Sequence, residues 1–259
     1  MATGFFKNIP NTVYDFKSDG NFQQTKDMFR KVSTWSYLQD GITGYSFYRI
    51  IEGERPDVVA AKLYGDSTLY WLFFLVNENL QDLSDWPKSN FQFNKFMDRK
   101  YPGTCLESSS STDIVSYDHS LADRDQLKSR KFYLGEKISQ SSDIYGFITD
   151  INPTHNRITL NSVNGIFTAG GTATGTTWSA EEPVDGPRSF TISSVVSEQN
   201  ATHHYLDSND FKTTVATGNT EVTNIEYERT INEDKHLIRY IEPQYTAKVI
   251  SEFKELMSD

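Results

Sequence analysis

Few residues of this 259-residue chain have the types and spacing of a catalytic or metal site. His203, His204 and Asp207 form the densest group of possible metal ligands. Neighbouring side chains of a β-strand point to opposite faces, and His203 and Asp207 would lie roughly 13 Å apart at ~3.3 Å per residue. The pattern therefore predicts ordinary strand histidines and no metal site.

The sequence GGTATG at residues 170–175 has the glycines of a phosphate-binding loop. It lacks the Lys-Ser/Thr pair of a P-loop, and no helical pattern follows it. A loop between β-strands is the better interpretation.

Other candidates for catalysis are equally weak. Glycoside hydrolysis needs two carboxylates about 5–10 Å apart across a cleft, but Glu181, Glu182 and Asp185 lie in a turn-like loop with nothing to desolvate one of them. Cys105 has no adjacent histidine or helix start that would lower its pKa. There is no G-x-S-x-G or H-E-x-x-H motif. The sequence predicts a protein that is not an enzyme and binds no cofactor.

The composition restricts the possible partners. The net charge is −10 and the sequence pI is about 5.0, so the chain repels phosphate backbones, and it has no basic stripe for nucleic acid. A single cysteine excludes an internal disulfide and favours folding in a reducing compartment. No apolar run has the length of a signal peptide or a membrane span. These features predict a soluble protein made in the cytoplasm.

Residues 48–79 are the stretch around which the chain is organised, and their pattern predicts strand, helix, helix. The strand covers residues 48–51, Pro56 suits a first helical position, and Gly65 suits the end of that helix. Asp66 or Ser67 can cap the second helix. Residues 69–76 are apolar on every side but far shorter than the ~20 residues of a membrane span. They are therefore predicted to form the buried core helix of a small domain.

This stretch resembles the LysM-like segment of a baseplate wedge subunit of contractile-tailed, T-even-type bacteriophages. The run RPDVVAAKLYGDSTLYW, followed by Trp86 and Pro87, carries the resemblance. The matching residues are Arg55, Pro56, Ala60, Leu63, Tyr64, Gly65, Asp66, Leu69, Tyr70 and Trp71. A helix at 25–39 and a strand followed by a helix at the C-terminus extend the likeness to residues 25–131 and 221–259.

The resemblance implies a structural component of a phage tail baseplate wedge, located in the virion and assembled in the host cytoplasm. It implies contacts with other baseplate wedge proteins, the sheath-initiator subunit and the neighbouring wedge, with six copies in a ring. The LysM-like motif residues implied are Arg55, Pro56, Tyr64, Gly65, Tyr70, Trp71 and Asn77. The candidate interface residues are Trp86, Pro87, Phe253, Leu256 and Met257. Core packing is the better interpretation of Tyr70 and Trp71, whereas Trp86 fits a core position or an interface anchor equally well.

The predicted fold class is α+β: a LysM-like βαα(β) core with flanking helices and an inserted small all-β barrel or sandwich. An extended arm at residues 1–24 packs on its own domain or on a neighbouring subunit. A helix and the LysM-like domain cover residues 25–104, and a Ser-rich, mobile linker follows at 105–131. The inserted β module covers 132–214. The C-terminal segment, 215–259, contains strands at 221–229 and 235–241, a break at Pro243, and an amphipathic helix from 245 or 246 to 258.

The alternative function is a peptidoglycan-binding LysM module. The turn after the first strand is altered at residues 53–55 and no glycan-binding loop is recognisable, which disfavours this alternative. A cell-wall hydrolase is a third possibility, but it requires a carboxylate pair that the sequence does not provide.

Overall fold

The computed structural model describes residues 9–27, 44–114, 131–175 and 188–258. The chain forms two compact units: residues 1–92 with 230–259, and residues 93–229. Helix and sheet occur in both, which confirms the α+β class. The predicted division into five domains remains a prediction.

Among the described residues, the first unit begins with a β-hairpin, which lies largely within the predicted extended arm. Strand β1 (Asn11–Tyr14) pairs antiparallel with β2 (Gln23–Lys26) in regular register. The predicted helix at 25–39 is wrong at its start, because Thr25 and Lys26 belong to β2. The rest of that helix lies outside the described residues, as do residues 1–8.

The predicted strand–helix–helix order is confirmed, with shifted boundaries. Strand β3 (Tyr45–Arg49) leads to helix α1 (Pro56–Tyr64), which begins at the proline and ends at Gly65 with φ 72°. Asp66 caps a 3-10 turn (Ser67–Tyr70) by accepting from the Thr68 N–H at 2.8 Å. Helix α2 (Trp71–Val76) continues directly from that turn. The predicted apolar helix is thus a 3-10 turn joined to an α-helix.

The strand that pairs with β3 comes from the far end of the chain. Strand β14 (Leu237–Ile241) pairs antiparallel with β3, from Leu237 opposite Arg49 to Ile241 opposite Tyr45. Helix α6 (Pro243–Ser258) follows, and it begins at Pro243, which the sequence analysis had taken as a break. A proline fits the first helical position because its missing N–H is not needed there.

Two clusters of buried side chains fill the first unit. The apolar octet, residues 69–76, contributes to both clusters. Leu69, Trp71, Leu72 and Val76 pack with Ile9, Ile241 and two residues of α6, Val249 and Phe253. Phe73 packs on the other side with Ile50, Val59, Ala60, Leu80, Trp86 and Ile238. The octet therefore packs into both clusters, as its composition predicts. Phe74 and Leu75 are only partly buried.

The second unit contains a seven-stranded antiparallel sheet that curls into a half-barrel. Its strands, in spatial order, are β10 (Ser194–Ser197), β4 (Thr104–Glu107), β7 (Arg157–Asn164), β6 (Tyr145–Asn152), β5 (Lys137–Ser139), β8 (Thr172–Gly175) and β9 (Ser189–Thr191). The edge strands β9 and β10 are consecutive in the chain and separated by Ile192 and Ser193 alone. Such a short link requires the two edges of the sheet to approach one another, which explains the curl.

Three predictions for this unit are wrong. The predicted linker contains β4, whose Cys105 and Leu106 are fully buried between β7 and β10. The predicted glycine-rich loop contains β8. The strand predicted at 221–229 is a short strand, β13 (Thr220–Thr223), followed by helix α5 (Asn224–Asp234). In each case pairing or packing with distant residues overrides the local composition.

Further elements complete the second unit. Helix α3 (Asn90–Lys100) enters it from the first unit, and a helical turn, α4 (Ser111–Ile114), follows β4. Strand β11 (Thr202–Leu206) lies between β12 (Lys212–Thr213) and β13 in a three-stranded sheet. Residues 115–130 of the predicted linker lie outside the described residues.

A buried ion pair lies inside the half-barrel. The Arg188 guanidinium is 2.7 Å from a Glu136 carboxylate oxygen, and both side chains are almost completely buried. The other Glu136 oxygen accepts from the Tyr133 N–H at 2.9 Å. Gly175 leaves the space for this carboxylate, because a Cβ there would collide with it.

We predict that Arg188→Met lowers the free energy of unfolding by about 3–5 kcal/mol, because it leaves the Glu136 carboxylate buried without its cation. The double variant Glu136→Met with Arg188→Met should recover most of this loss, since no buried charge remains. Urea denaturation of the three full-length chains measures both effects. Equal losses in the single and double variants would contradict the interpretation.

Candidate partner-binding surfaces

Most residues of the predicted LysM-like motif belong to the core of the first unit. Trp71 and Asn77 are buried, and Tyr64 and Tyr70 are half-buried. The Trp71 ring packs on Phe253 with centroids 4.7 Å apart. Burial raises the pKa of the Tyr64 hydroxyl, which therefore stays neutral at physiological pH. These side chains pack within the first unit and stabilise it. Their contribution to partner binding remains a prediction.

Asn77 links helix α2 to the distant strand β14. Its Oδ1 accepts from the Arg239 N–H at 2.8 Å, and its Nδ2 donates to the Arg239 carbonyl at 2.9 Å and to the Phe73 carbonyl at 2.8 Å. The side chain thus satisfies two backbone groups of β14 and one of α2. No pattern in the sequence indicates this pairing, and Asn77 was selected through the family resemblance alone.

Trp86 lies in the core, which is one of the two roles predicted for it. It is 8% exposed, its ring lies 5.9 Å from that of Phe73, and its Nε1 donates to the Glu54 carbonyl at 2.7 Å. Pro87 is also buried. A Trp of this kind stabilises the turn before α1, and a role as an interface anchor remains a prediction.

The same turn carries a charged network centred on Glu54. Its carboxylate accepts from the Tyr48 hydroxyl at 2.8 Å and from the Ile51 N–H at 3.0 Å. The Lys62 ammonium lies 2.8 Å from the Tyr48 hydroxyl and 3.4 Å from Glu54. Partial burial alone raises the pKa of the Glu54 carboxyl, but these three donors outweigh it, and the pKa lies below its ordinary value of 4.5.

The remaining predicted site residues divide between surface and core. Arg55 is exposed and lies 3.2 Å from Asp57. Phe253 is buried, while Leu256 on the same helix is exposed. The side chain of Met257 is outside the described residues.

The hairpin β1–β2 is the most exposed apolar surface of the first unit among the described residues. Four of its large apolar side chains are more than half exposed: Val13 65%, Tyr14 57%, Phe16 61% and Phe22 69%. Within the described part of the chain, the hairpin is anchored at its root, where Ile9 is buried and its carbonyl accepts from Lys26 Nζ at 2.7 Å. Large apolar groups clustered on a surface mark an interaction site.

The hairpin loop is ordered by one carboxylate. Asp15 accepts from the N–H groups of Lys17, Asp19 and Gly20 at 2.8–3.2 Å. Hydrogen bonding from these backbone N–H groups, first that of Gly20, lowers the pKa of Asp15. The loop that carries Phe16 is therefore preorganised, and sequence reasoning missed it because eight residues separate the two strands.

A cleft of about 540 Å³ lies in the first unit between the turn after β3 and the start of β14. Its lining is mostly polar and charged, and includes Arg49, Glu52, Lys88, Glu233 and His236. Pockets for small ligands are usually lined by apolar and aromatic side chains with a few polar groups. Among the described residues, the lining contains no Phe, Tyr or Trp ring on which a sugar could stack.

The expected geometry of His203 and His204 is wrong. Strand β11 has an irregularity in its pairing with β13 between Thr202 and His204, and such a bulge turns consecutive side chains to one face. The two Nδ1 atoms lie 2.7 Å apart, so a single proton lies between them. Within the described ranges, no group of three or more His, Cys, Asp or Glu side chains could hold a metal ion.

The other chemical candidates gain no support. Cys105 is fully buried, and burial raises the pKa of its thiol, which disfavours the reactive thiolate. Glu181, Glu182 and Asp185 lie outside the described residues. None of the described helices is long and apolar enough to cross a membrane.

We predict that Glu54→Gln destabilises the chain by about 1 kcal/mol near neutral pH, since it removes a charged acceptor that is partly exposed. The lowered pKa means that the carboxylate stabilises the fold above the ordinary value of 4.5 and loses this effect as the pH falls through the folded-state pKa. The difference between variant and original should therefore vanish in acid. The midpoints of urea denaturation of the variant and the original chain, measured from neutral to acid pH, give this difference. Glu78→Gln at an exposed position is the control. A stability difference that stays constant with pH would argue against the network.

We predict that stability also declines as the pH falls below 6.5, because His203 and His204 cannot both be protonated in contact. Burial, followed by the nearby Lys212 charge, lowers the pKa of both rings; His155 adds to this effect, and Glu228 opposes it at His203. A lowered histidine pKa means that the stabilisation is present above 6.5 and lost below it.

His204→Asn and Lys212→Met should each make this decline shallower, the first by removing the pair and the second by removing the neighbouring charge. Thermal midpoints between about pH 7.5 and 5 measure the slope. Slopes parallel to that of the unaltered chain would show that the pair does not titrate as proposed.

Comparison with known proteins finds a similarity in the N-terminal part of the chain. Residues 1–103 match the model of a phage family described as base plate wedge protein 53. The match includes the hairpin and α1–α3 and ends immediately before β4, so it does not reach the C-terminal segment to which the resemblance was extended. A search of curated proteins found no match. The first 103 residues of the chain are thus similar to the phage base plate wedge protein 53 family.

Proposed function

We propose that the chain is a structural adaptor that joins wedge core subunits and neighbouring wedges into the baseplate ring of a phage tail. The family match supports a structural role in the baseplate. The adaptor role rests on one observation: the apolar side chains of the hairpin β1–β2 are exposed, although the first unit has a buried core of its own. The partners in this proposal are the other baseplate wedge proteins, the sheath-initiator subunit and the neighbouring wedge, with six copies per ring.

The proposed scaffold is a LysM-like core made of β3, α1, α2 and β14. Supporting this, the two helices follow the first strand directly and the two strands pair antiparallel. The second strand is separated from α2 by the whole second unit, which makes the half-barrel an insertion within the core. We place this adaptor in the virion tail baseplate, following assembly in the host cytoplasm.

The mechanism of this adaptor is adhesion. Exposed apolar groups of the hairpin, together with Leu256 of α6 and Val58 of α1, become buried against partner chains. Permanent interfaces of this kind bury about 2,000 Å² or more, so several such surfaces are needed. Binding of peptidoglycan is less well supported, because the described lining of the cleft beside β3 is mostly polar and charged and contains no Phe, Tyr or Trp.

We predict that the double variant Phe16→Ser with Phe22→Ser weakens association with the wedge at least tenfold, because burying each Phe contributes roughly 1.5–3 kcal/mol. The fold should be retained, since both side chains are exposed. Co-sedimentation with particles assembled from the other wedge proteins of the phage measures the effect. Ile166→Ser, which changes an exposed apolar residue outside the matched segment, serves as the control. Unchanged sedimentation of the hairpin variant would remove the main support for the adaptor role.

A further inference from the structure

The hairpin β1–β2 leaves two strand edges without a partner among the described residues. It is a two-stranded sheet, and no third strand of the described chain pairs with it. Isolated hairpins of this size are marginally stable in water, and a third strand or a packing surface normally supports them. An additional strand would therefore both stabilise the hairpin and cover an open edge.

The register identifies the backbone groups on each edge. The Asp27 N–H donates to the Pro10 carbonyl at 3.0 Å, which makes these two residues a hydrogen-bonded pair. Hydrogen-bonded and non-hydrogen-bonded pairs alternate in an antiparallel ladder. Thr12 opposite Thr25 is then hydrogen-bonded, whereas Val13 opposite Gln24 is not. The N–H and C=O groups of Asn11 and Val13 consequently point outward on the β1 edge, and those of Gln24 and Lys26 on the β2 edge.

The two edges differ in their protection against pairing. Natural edge strands avoid further pairing with charges, especially lysine, with proline or with bulges. The β2 edge has Lys26, whereas β1 has the sequence Asn-Thr-Val-Tyr with no charge, no proline and no irregularity in its register. Valine, threonine and tyrosine also favour strands. The unprotected edge is therefore that of β1.

We propose that the β1 edge accepts an extended strand from another baseplate wedge protein, which turns the hairpin into a three-stranded sheet. This inference rests on the proposed adaptor function and specifies how its hairpin binds. Main-chain hydrogen bonds at Asn11 and Val13 give affinity, and contacts with Tyr14, Phe16 and Phe22 select a strand with apolar side chains, as in other cases of strand addition. A second copy of this chain is a poor occupant, because two chains of net charge −10 repel each other.

Proline substitution tests the edge directly. Val13→Pro removes an outward N–H without removing a bond of the β1–β2 ladder, and proline is tolerated at such edge positions. Gln24→Pro makes the same change on the opposite edge and is the matched control. Val13→Pro also removes the valine side chain. Val13→Thr replaces that side chain but keeps the backbone N–H and the branched shape, and it is the second control. Co-sedimentation of the full chain with particles assembled from the other wedge proteins is the measurement.

The expected result is at least a tenfold loss of binding for Val13→Pro and less than a twofold change for Gln24→Pro and Val13→Thr. Equal losses in both proline variants, or none in either, overturn strand addition at β1 and leave the adaptor role intact. A concentration-dependent dimer of the isolated chain that Val13→Pro abolishes overturns it in favour of a second copy. Failure of the unaltered chain to co-sediment overturns the adaptor role itself.

Discussion

The pairing of β3 with β14 is the constraint on which the first unit depends. Five residue pairs join strands that lie far apart in the chain, and the Asn77 side chain adds two hydrogen bonds to β14 and one to α2. Without β14, the cores would lose Ile238 and Ile241, and α6 would lose the strand that leads into it. The entropic cost of closing a flexible loop rises by only about 0.6 kcal/mol for each doubling of its length. A complete second unit can therefore lie between α2 and β14 without preventing their association.

This arrangement separates the parts of the chain that stabilise it from those available for contact. The motif that first indicated the family supplies mainly core contacts, since Trp71, Asn77 and Trp86 are buried. The hairpin shows the opposite pattern, with exposed apolar groups on a segment whose root is buried. A sequence likeness concentrated in core residues identifies a scaffold, whereas the surfaces of that scaffold determine its partners.

The predictability of the structure follows the range of the interactions involved. The start of α1 at Pro56, its end at Gly65 and the cap at Asp66 were all predictable, because each depends on local backbone chemistry. Burial of the octet followed from its composition. The β4 strand was missed because a serine-rich context concealed two buried residues, Cys105 and Leu106, whose environment is created by β7 and β10. The contact between His203 and His204 was missed because a bulge shifts the alternation on which the sequence argument relied.

The candidate surface was hidden in the sequence for a related reason. Phe16 and Phe22 lie in an irregular apolar stretch that gives neither a helical nor an alternating period, and exposure cannot be inferred from such a stretch. Asp15 creates the order of this loop through backbone hydrogen bonds that have no periodic signature. An interface on a preorganised loop loses less conformational entropy on binding than one on a mobile arm. The eight-residue loop that conceals the hairpin from sequence analysis thus also preorganises the aromatic side chains on which the proposed binding depends.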